Sequence, residues 1–275
     1  MNGNAGATHV LACDLDEDCG CPDPYYSDAN VTIYLGDCLD VLPKLGPVAD
    51  AIVTDPPYVE TALGWDKSVC GWPGYALRAL HSGRGHLWCF GSLRSLAASW
   101  SEFEAWSYAQ DVVWEKHNGS ACASDRFRRV HELAAHFYAG AWSELYKAIP
   151  RTADSEMRGK SVITRSAGPT HAGAFDVSSY VNDGTRIQRS VMKVRSCHGS
   201  ALHPTQKPDG ILRPLITSSC PPGGVVLDPF FGSGSIGAVA RQEGRRAIGI
   251  EKSEAFCEVA ARRLSQGILH LGATV

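Results

Sequence analysis

Two short stretches concentrate the side chains that could do chemistry. In "VTDPPYVETALGW", residues 53–65, an acid, two prolines and an aromatic ring follow an apolar run. Proline has no N–H and restricts the residue before it, so the backbone of Asp55, Pro56 and Pro57 is held extended, with carbonyls that no helix claims. A carboxylate and a fixed carbonyl are two acceptors, matched to the two hydrogens of one exocyclic amino group. Tyr58 adds an aromatic face on which a planar base can stack. An aromatic amine is a poor nucleophile because its lone pair is delocalised into the ring. Accepting hydrogen bonds from both of its N–H groups returns electron density to nitrogen. Such an amine can attack a methyl sulfonium directly, without a covalent enzyme intermediate. The bland alternative is a proline-rich turn that ends a strand.

The second stretch, "VVLDPFFGSGSIG" at 225–237, carries Gly232, Gly234 and Gly237 in the order G-x-G-x-x-G between a predicted strand and a predicted helix. The next strand ends in "GIEKS", and Glu251 at its tip is placed to grip a ribose diol through two hydroxyl-to-carboxylate bonds. Three readings compete. A nicotinamide dehydrogenase would seat a pyrophosphate on the glycines, but it normally places this unit at the start of its fold and gives "DPPY" no task. An S-adenosylmethionine enzyme uses the same bend to pass methionine and ribose, commonly with an acid in the loop, for which Asp228 qualifies. A tight turn that needs glycine for packing alone is the third. Transfer between the two stretches requires them to share one cleft.

The elements that must position these residues alternate. "VTIYLG", "DAIVTD", "GHLWCFG", "AQDVVWEK" and "ELAAHFYAG" read as buried strands, and "SLRSLAASWSEFEAWSY" as a helix capped by Ser92. Further on, the strands "GGVVLDPF" and "RRAIGIEKS" flank the helix "SIGAVARQEG" and precede the helix "EAFCEVAARRLSQG". Alternation of this kind predicts an α/β fold with a mostly parallel sheet flanked by helices. Between the two regions, residues 141–202 lose the pattern. They are polar, basic and broken by glycines, which predicts a small inserted lobe.

A chain of 275 residues with 44% hydrophobic content can bury a large core, and disorder of the whole is excluded. No apolar run approaches the roughly eighteen residues that span a bilayer, so a cytoplasmic protein without a membrane partner is expected. Ten cysteines are spread through a chain too long to need disulfide staples. His9, Cys13, Cys19 and Cys21 cluster near the start, but C-x-C and H-x3-C are not the paired spacings of structural zinc, so an acidic arm over 1–30 is expected and no metal is assigned. The net charge of −3 hides an asymmetry. Residues 1–60 hold one lysine against eleven acids, whereas 141–207 hold ten Lys and Arg against five acids. A polyanion is drawn to the middle of the chain, unless the imbalance is only a solvated surface.

Taken in order, "GDCLDVLPKL", "TDPPY", "VVWEKHN", "RVHELAAHFY", "HPTQKP" and "VLDPFFGSGSIGAVARQEGRRAIGIE" resemble the motifs of the β class of amino DNA methyltransferases. The resemblance covers about 31–140 and 203–266. It implies a circularly permuted Rossmann-like fold in which a catalytic half (31–140) precedes a target-recognition domain (141–202) and a cofactor-binding half (203–275). By the same resemblance Asp55, Pro56, Pro57 and Tyr58 bind and activate the target base. Phe230, Gly232, Gly234 and Glu251 hold S-adenosylmethionine, with Asp228 near its amino end and Asp37 near its adenine, while His203, Thr205 and Lys207 close over its carboxylate. Lys207 also reads as a helix-entry lysine before Pro208, and His131 and Glu132 read as scaffold. Arg151, Arg158, Lys160, Arg165, Arg186, Arg189, Lys193 and Arg195 are the expected contacts to duplex DNA.

The expected activity is methylation of adenine N6 in a base rotated out of the duplex. Cytosine N4 is the alternative, and a catalytically idle DNA-binding module is an alternative of another class. The resemblance makes a bacterial or phage setting, a homodimer and a restriction endonuclease candidate associations. One departure from the pattern is Pro214 in "GILRPLIT", where a kink costing about 3 kcal/mol is anticipated.

Overall fold

The structure, a computed structural model, describes residues 22–60, 64, 66–117, 125, 127–153, 161–165, 168–170, 173–175, 178–197 and 206–266, with backbone alone between 153 and 182. It separates into two compact units, Met1–Ala148 with Ser190–Val275, and Ile149–Arg189.

The larger unit is built on nine strands: β1 (Tyr26–Ser27), β2 (Val31–Leu35), β3 (Ala51–Thr54), β4 (Gly85–Gly91), β5 (Ser107–Glu115), β6 (His131–Ala139), β13 (Val191–Lys193), β14 (Val225–Asp228) and β15 (Arg246–Glu251). Their order across the sheet is β1-β2-β15-β14-β3-β4-β6-β5-β13. β2, β15, β14, β3 and β4 run parallel, and β6 is antiparallel to both of its neighbours. The strands β2, β3, β4 and β14 are almost wholly buried apolar runs, as strands covered on both faces must be.

Period-two alternation sorts their side chains onto two cores. Val31, Ile33, Val53, Phe90 and Val226 face one side together with the buried stripes of α4 (Asp209–Ser219), α5 (Ser235–Gln242) and α6 (Glu254–Ser265). Tyr34, Ile52, Leu87, Leu227 and Ile250 face the other, against α1 (Cys38–Leu45) and α2 (Trp72–Arg78). Each fully buried Leu or Ile contributes about 1.5–3 kcal/mol. α4 is unbroken through Pro214, which lies between buried Leu212 and Leu215, so packing holds the helix where its own backbone withholds a bond.

The expected long helix after Ser92 is shorter than its pattern suggested. α3 covers only Leu93–Ala98, a single 3-10 turn follows at Trp100–Phe103, and β5 begins at Ser107. Ser92 and Ser95 do form the capping box. The hydroxyl of Ser99 donates back to the Ser95 carbonyl at 3.0 Å, the local competition by which serine weakens helices. The Phe103 ring then stacks on Phe137 of β6 at 4.4 Å, drawing the chain onto the sheet.

The smaller unit is a nest of antiparallel pairs, with β7 (Arg151–Ala153) on β12 (Thr185–Ile187), β8 (Ser161–Arg165) on β11 (Ser178–Asn182), and β9 (Gly168–Thr170) on β10 (Gly173–Phe175). The polar, glycine-broken middle of the chain is therefore a ladder of short strands. β13 pairs with β5 in the larger unit, so Lys193 and Arg195 lie there and not in the smaller unit.

Candidate active site

β14 and β3 are parallel neighbours, with Leu227 opposite Ile52. From β14 the chain passes through α5 to β15 on one side, whereas β4 follows β3 on the other. Open α/β sheets form their ligand crevice at such a reversal, outside the carboxyl ends of the strands. Asp55 follows β3 directly and Asp228 ends β14. The Thr54 hydroxyl donates to Asp228 Oδ1 at 2.8 Å, and the Phe230 N–H donates to the same oxygen at 3.0 Å. Burial pushes the Asp228 carboxyl up to about 7.

The bend after β14 uses its glycines in two ways. Gly232 and Gly234 take φ of 52° and 74°, the left-handed region that favours glycine. Gly237 is needed for space, since a Cβ there would come within 2.6 Å of the Phe231 ring; on Gly249 of β15 it would come within 2.2 Å. Phe231 is thus the buried floor of the bend. Phe230 turns the other way and meets Trp72 edge-on at 5.5 Å.

Glu251 accepts hydrogen bonds from the N–H groups of Gly232 at 2.8 Å and Ser253 at 2.7 Å, and burial raises its carboxyl above the usual range. Asp37 caps α1 through the Leu39 N–H at 3.0 Å and pairs with Lys252 at 2.7 Å. That lysine, first among its partners, holds Asp37 below the usual carboxylate range. A cavity of about 720 Å³ runs from Asp37, Ile250, Glu251 and Phe256 past Gly232 to Asp228, Asp55 and Pro57. The proline-stiffened acid and the glycine bend open onto one cleft.

Asp55 is the centre of a buried charge cluster. Its Oδ1 accepts the Tyr58 hydroxyl at 2.5 Å, and its Oδ2 pairs with the Lys207 ammonium at 2.5 Å. Lys207 also lies 3.4 Å from Glu132 Oε2, and Lys116 pairs with Glu132 Oε1. Burial raises the Asp55 carboxyl and Lys207 pulls it back. Burial would depress Lys207, but Asp55 and Glu132 outweigh it and hold the ammonium protonated. Glu132 would be raised by burial, yet the two lysines carry it below the usual range. Lys207 stands just ahead of Pro208, the N-cap of α4; its side chain lies on the large cavity and its ammonium pairs with Asp55.

The turn after Tyr58 is strained. Val59 has φ of 58°, which a β-branched residue rarely adopts. The Asp66 carboxylate fixes it by accepting the N–H groups of Val59 at 2.6 Å and Glu60 at 2.9 Å. Beyond this turn lies a second cavity of about 560 Å³ lined by Val59, Glu60, Arg94, Arg129, His131 and Glu132. Glu60 there accepts the Ser92 hydroxyl at 2.5 Å and pairs with Arg129 at 2.8 Å. Leu93 and Phe127 stand 72% and 101% exposed in its lining.

The structure gathers Asp37, Asp55, Pro57, Lys207, Asp228, Phe230, Gly232 and Glu251 on the large cavity. Tyr58 joins through Asp55, and Gly234 supports the bend from behind, packed on Ala260. His203, Thr205, Arg158, Lys160 and the His9, Cys13, Cys19, Cys21 group lie outside the described residues, and of Arg165 only the backbone is described. Among the described residues no cluster of His, Cys, Asp and Glu could hold a metal ion. Arg151 is tied to Thr185 and Asp183 within its own ladder. Arg186, Arg189 and Arg195 are exposed, and Lys193 pairs with Glu115. Glu132, Lys116, Asp66 and Phe231 were not anticipated as site residues. An acid inside the apolar strand "HELAAHFY" was the available signal, because a buried carboxylate requires a partner.

Residues 49–262 match the model of the N6/N4 methyltransferases, described as DNA methylase. The chain belongs to that family. It is a DNA methyltransferase dependent on S-adenosylmethionine, similar to the Type II methyltransferase M.HinfI of Haemophilus influenzae, at 29% identity over 86% of this chain and 68% of that one. It is also similar to the Type II methyltransferase M2.LlaDCHI of Lactococcus lactis subsp. cremoris, at 26% identity over 89% and 93%. Its fold resembles those of the M1.HpyAVI–SAM complex (TM-score 0.58, 21% identity, 85% of this chain and 99% of that one) and the cytosine-N4-specific PvuII DNA methyltransferase (TM-score 0.60, 15%, 89% and 89%).

The methyltransferase's cleft fits its cofactor chemically. Glu251 uses its oxygens on two backbone donors and retains lone pairs for a diol. Ile250 and Phe256 offer an apolar slot for a planar ring, and Asp228 a buried acid for an ammonium group. Among the described residues no helix is long and apolar enough to cross a membrane.

Proposed function

We propose that this methyltransferase acts on the exocyclic N6 of adenine in duplex DNA. The observation that carries the reading is the meeting of Asp55 and the glycine bend on one cavity. Bound S-adenosylmethionine supplies a methyl group on a positively charged sulfur. Asp55 and the carbonyls of the Pro-Pro segment accept the two N–H bonds of the amine, and Tyr58 stacks on the base. The target atom is paired inside the helix, so the base must be rotated out, at a cost of a few kcal/mol. The second cavity, lined by Arg94, Arg129 and His131, is the side from which it enters. Asp55 takes the proton that the amine loses as the N–C bond forms and the C–S bond breaks. The choice of adenine rests on the tetrapeptide Asp55-Pro56-Pro57-Tyr58, which in the resembling class leans to adenine.

The smaller unit, Ile149–Arg189, is assigned the reading of the target sequence, with Arg186 and Arg189 on phosphates. His203 and Thr205 would border the cofactor carboxylate. Methylation-sensitive sequencing of DNA from cells expressing the chain, with mass spectrometry of its nucleosides, tests the assignment of base and substrate. N6-methyladenine at one short sequence is expected; N4-methylcytosine alone refutes the adenine assignment. Asp55→Ala should bind S-adenosylmethionine normally and transfer no methyl group, whereas unchanged turnover would eliminate the catalytic assignment.

A further inference from the structure

The Lys207 ammonium occupies a position defined by the chemistry proposed for the target amine. It donates to Asp55 Oδ2 at 2.5 Å. It also lies 5.6 Å from the centre of the Tyr58 ring and 5.1 Å from that of Phe90, within reach of a cation–π attraction. A nitrogen carrying N–H donors, beside Asp55 and over an aromatic ring, is what an exocyclic amine would present there. The two nitrogens cannot both serve. A cation in contact with Asp55 draws off the electron density that the carboxylate must lend to the amine.

A second place for the ammonium exists nearby. Glu132 Oε2 lies 3.4 Å from Lys207 Nζ and is buried, and among the described residues it has no closer polar partner. Glu132 is held from its other oxygen by Lys116. About half an ångström separates Lys207 from ordinary charge-assisted bond length on Glu132, and release of Asp55 takes a further rotation of the lysine side chain about its staggered torsions. The pocket then still holds two carboxylates and two ammonium groups, so a neutral base can enter without leaving a charge uncompensated.

Building on the function proposed above, we propose that Lys207 is a positioning residue that stands in for the target amine: it occupies Asp55 while the pocket lacks a base and moves to Glu132 when the base arrives. A purely structural lysine, present only to neutralise two buried acids, makes a different prediction. Its loss would impair base entry and turnover together, whereas loss of a place-holder favours base entry while impairing turnover.

The test uses the full-length enzyme with S-adenosylhomocysteine and a duplex carrying the recognition site found by sequencing, with 2-aminopurine immediately beside the methylated adenine, whose fluorescence rises when that neighbour leaves the stack. Lys207→Met is expected to raise the fluorescence of the complex at least twofold over wild type, while kcat on the unsubstituted duplex falls at least tenfold. Glu132→Gln, which removes the receiving charge, is expected to lower the fluorescence at least twofold. The double variant should match Lys207→Met, because Glu132 has then nothing to receive. A Lys207→Met complex no brighter than wild type overturns the proposal, as does a Glu132→Gln effect that persists undiminished in the Lys207→Met background. A far-ultraviolet circular dichroism spectrum and a cooperative urea transition matching wild type identify folded variants, and Lys207→Gln, expected to give the same sign, replaces a methionine variant that does not fold. Failure of the underlying function shows separately, as wild-type enzyme that methylates no adenine in the duplex.

Discussion

Asp228 makes the stability of this protein depend on pH in a direction opposite to that of an ordinary surface carboxylate. Its side chain is 2% exposed, and its Oδ1 already serves Thr54 and Phe230. Burial sets its folded value at about 7 against an ordinary 3.8. Between those values the folded state holds a proton that the unfolded state has lost. Stability from this group is therefore complete below about pH 4 and is lost as pH rises through about 7. At about 1.4 kcal/mol per pH unit, the loss between pH 5 and pH 8 is roughly 3 kcal/mol.

Asp228→Asn keeps an oxygen for both donors and cannot ionise. Urea unfolding of the wild type and the variant at pH 5, 6, 7 and 8 reads the effect. The wild type should weaken relative to the variant by roughly 3 kcal/mol across that range. If the cofactor's ammonium group docks at Asp228, saturating S-adenosylmethionine favours the ionised form and narrows the gap. Parallel stability profiles for the two proteins between pH 5 and pH 8 would show that Asp228 does not titrate in this range, and the burial argument would be refuted.

Gly249→Ala drives a methyl group into the Phe231 ring and should cost about 1–3 kcal/mol in unfolding free energy, most of it recovered in Gly249→Ala/Phe231→Leu, so additive losses in the double variant would contradict the close approach. Asp66→Ala leaves the N–H groups of Val59 and Glu60 without their acceptor and should cost about 2–4 kcal/mol. Adding Val59→Gly should recover part of that loss, because glycine holds a positive φ without a clamp; denaturation midpoints of the single and double variants measure it. Glu251→Ala removes the acceptor expected for the ribose diol and should weaken S-adenosylmethionine at least tenfold by calorimetry, while S-adenosylmethionine binding within twofold of wild type would detach Glu251 from the cofactor.

The sequence by itself determined the strands and the chemistry at their ends. Apolar runs such as "DAIVT" and "GVVLD" have only one way to be buried on both faces, and residues that end them, Asp55 and Asp228, must then emerge at a sheet edge. Glycine acts through its own backbone, so the left-handed bend at Gly232 and Gly234 was legible without knowledge of its neighbours.

What only the tertiary structure decided is which side chains meet across long separations. Lys207 and Glu132 come from segments with no periodic relation, and nothing local says that a lysine before a helix will pair with Asp55 and lie beside Glu132. The helix α3, bracketed by Ser92 and Ser99, stops after Ala98, and Phe103 beyond it finds a stacking partner on β6. Strand pairing likewise assigned β13 to the main sheet and gave the basic middle its ladder, since short polar strands gain their order from partners and not from their own pattern. Local backbone chemistry is encoded residue by residue, whereas the partner of a buried charge is set by the fold that excludes water from both.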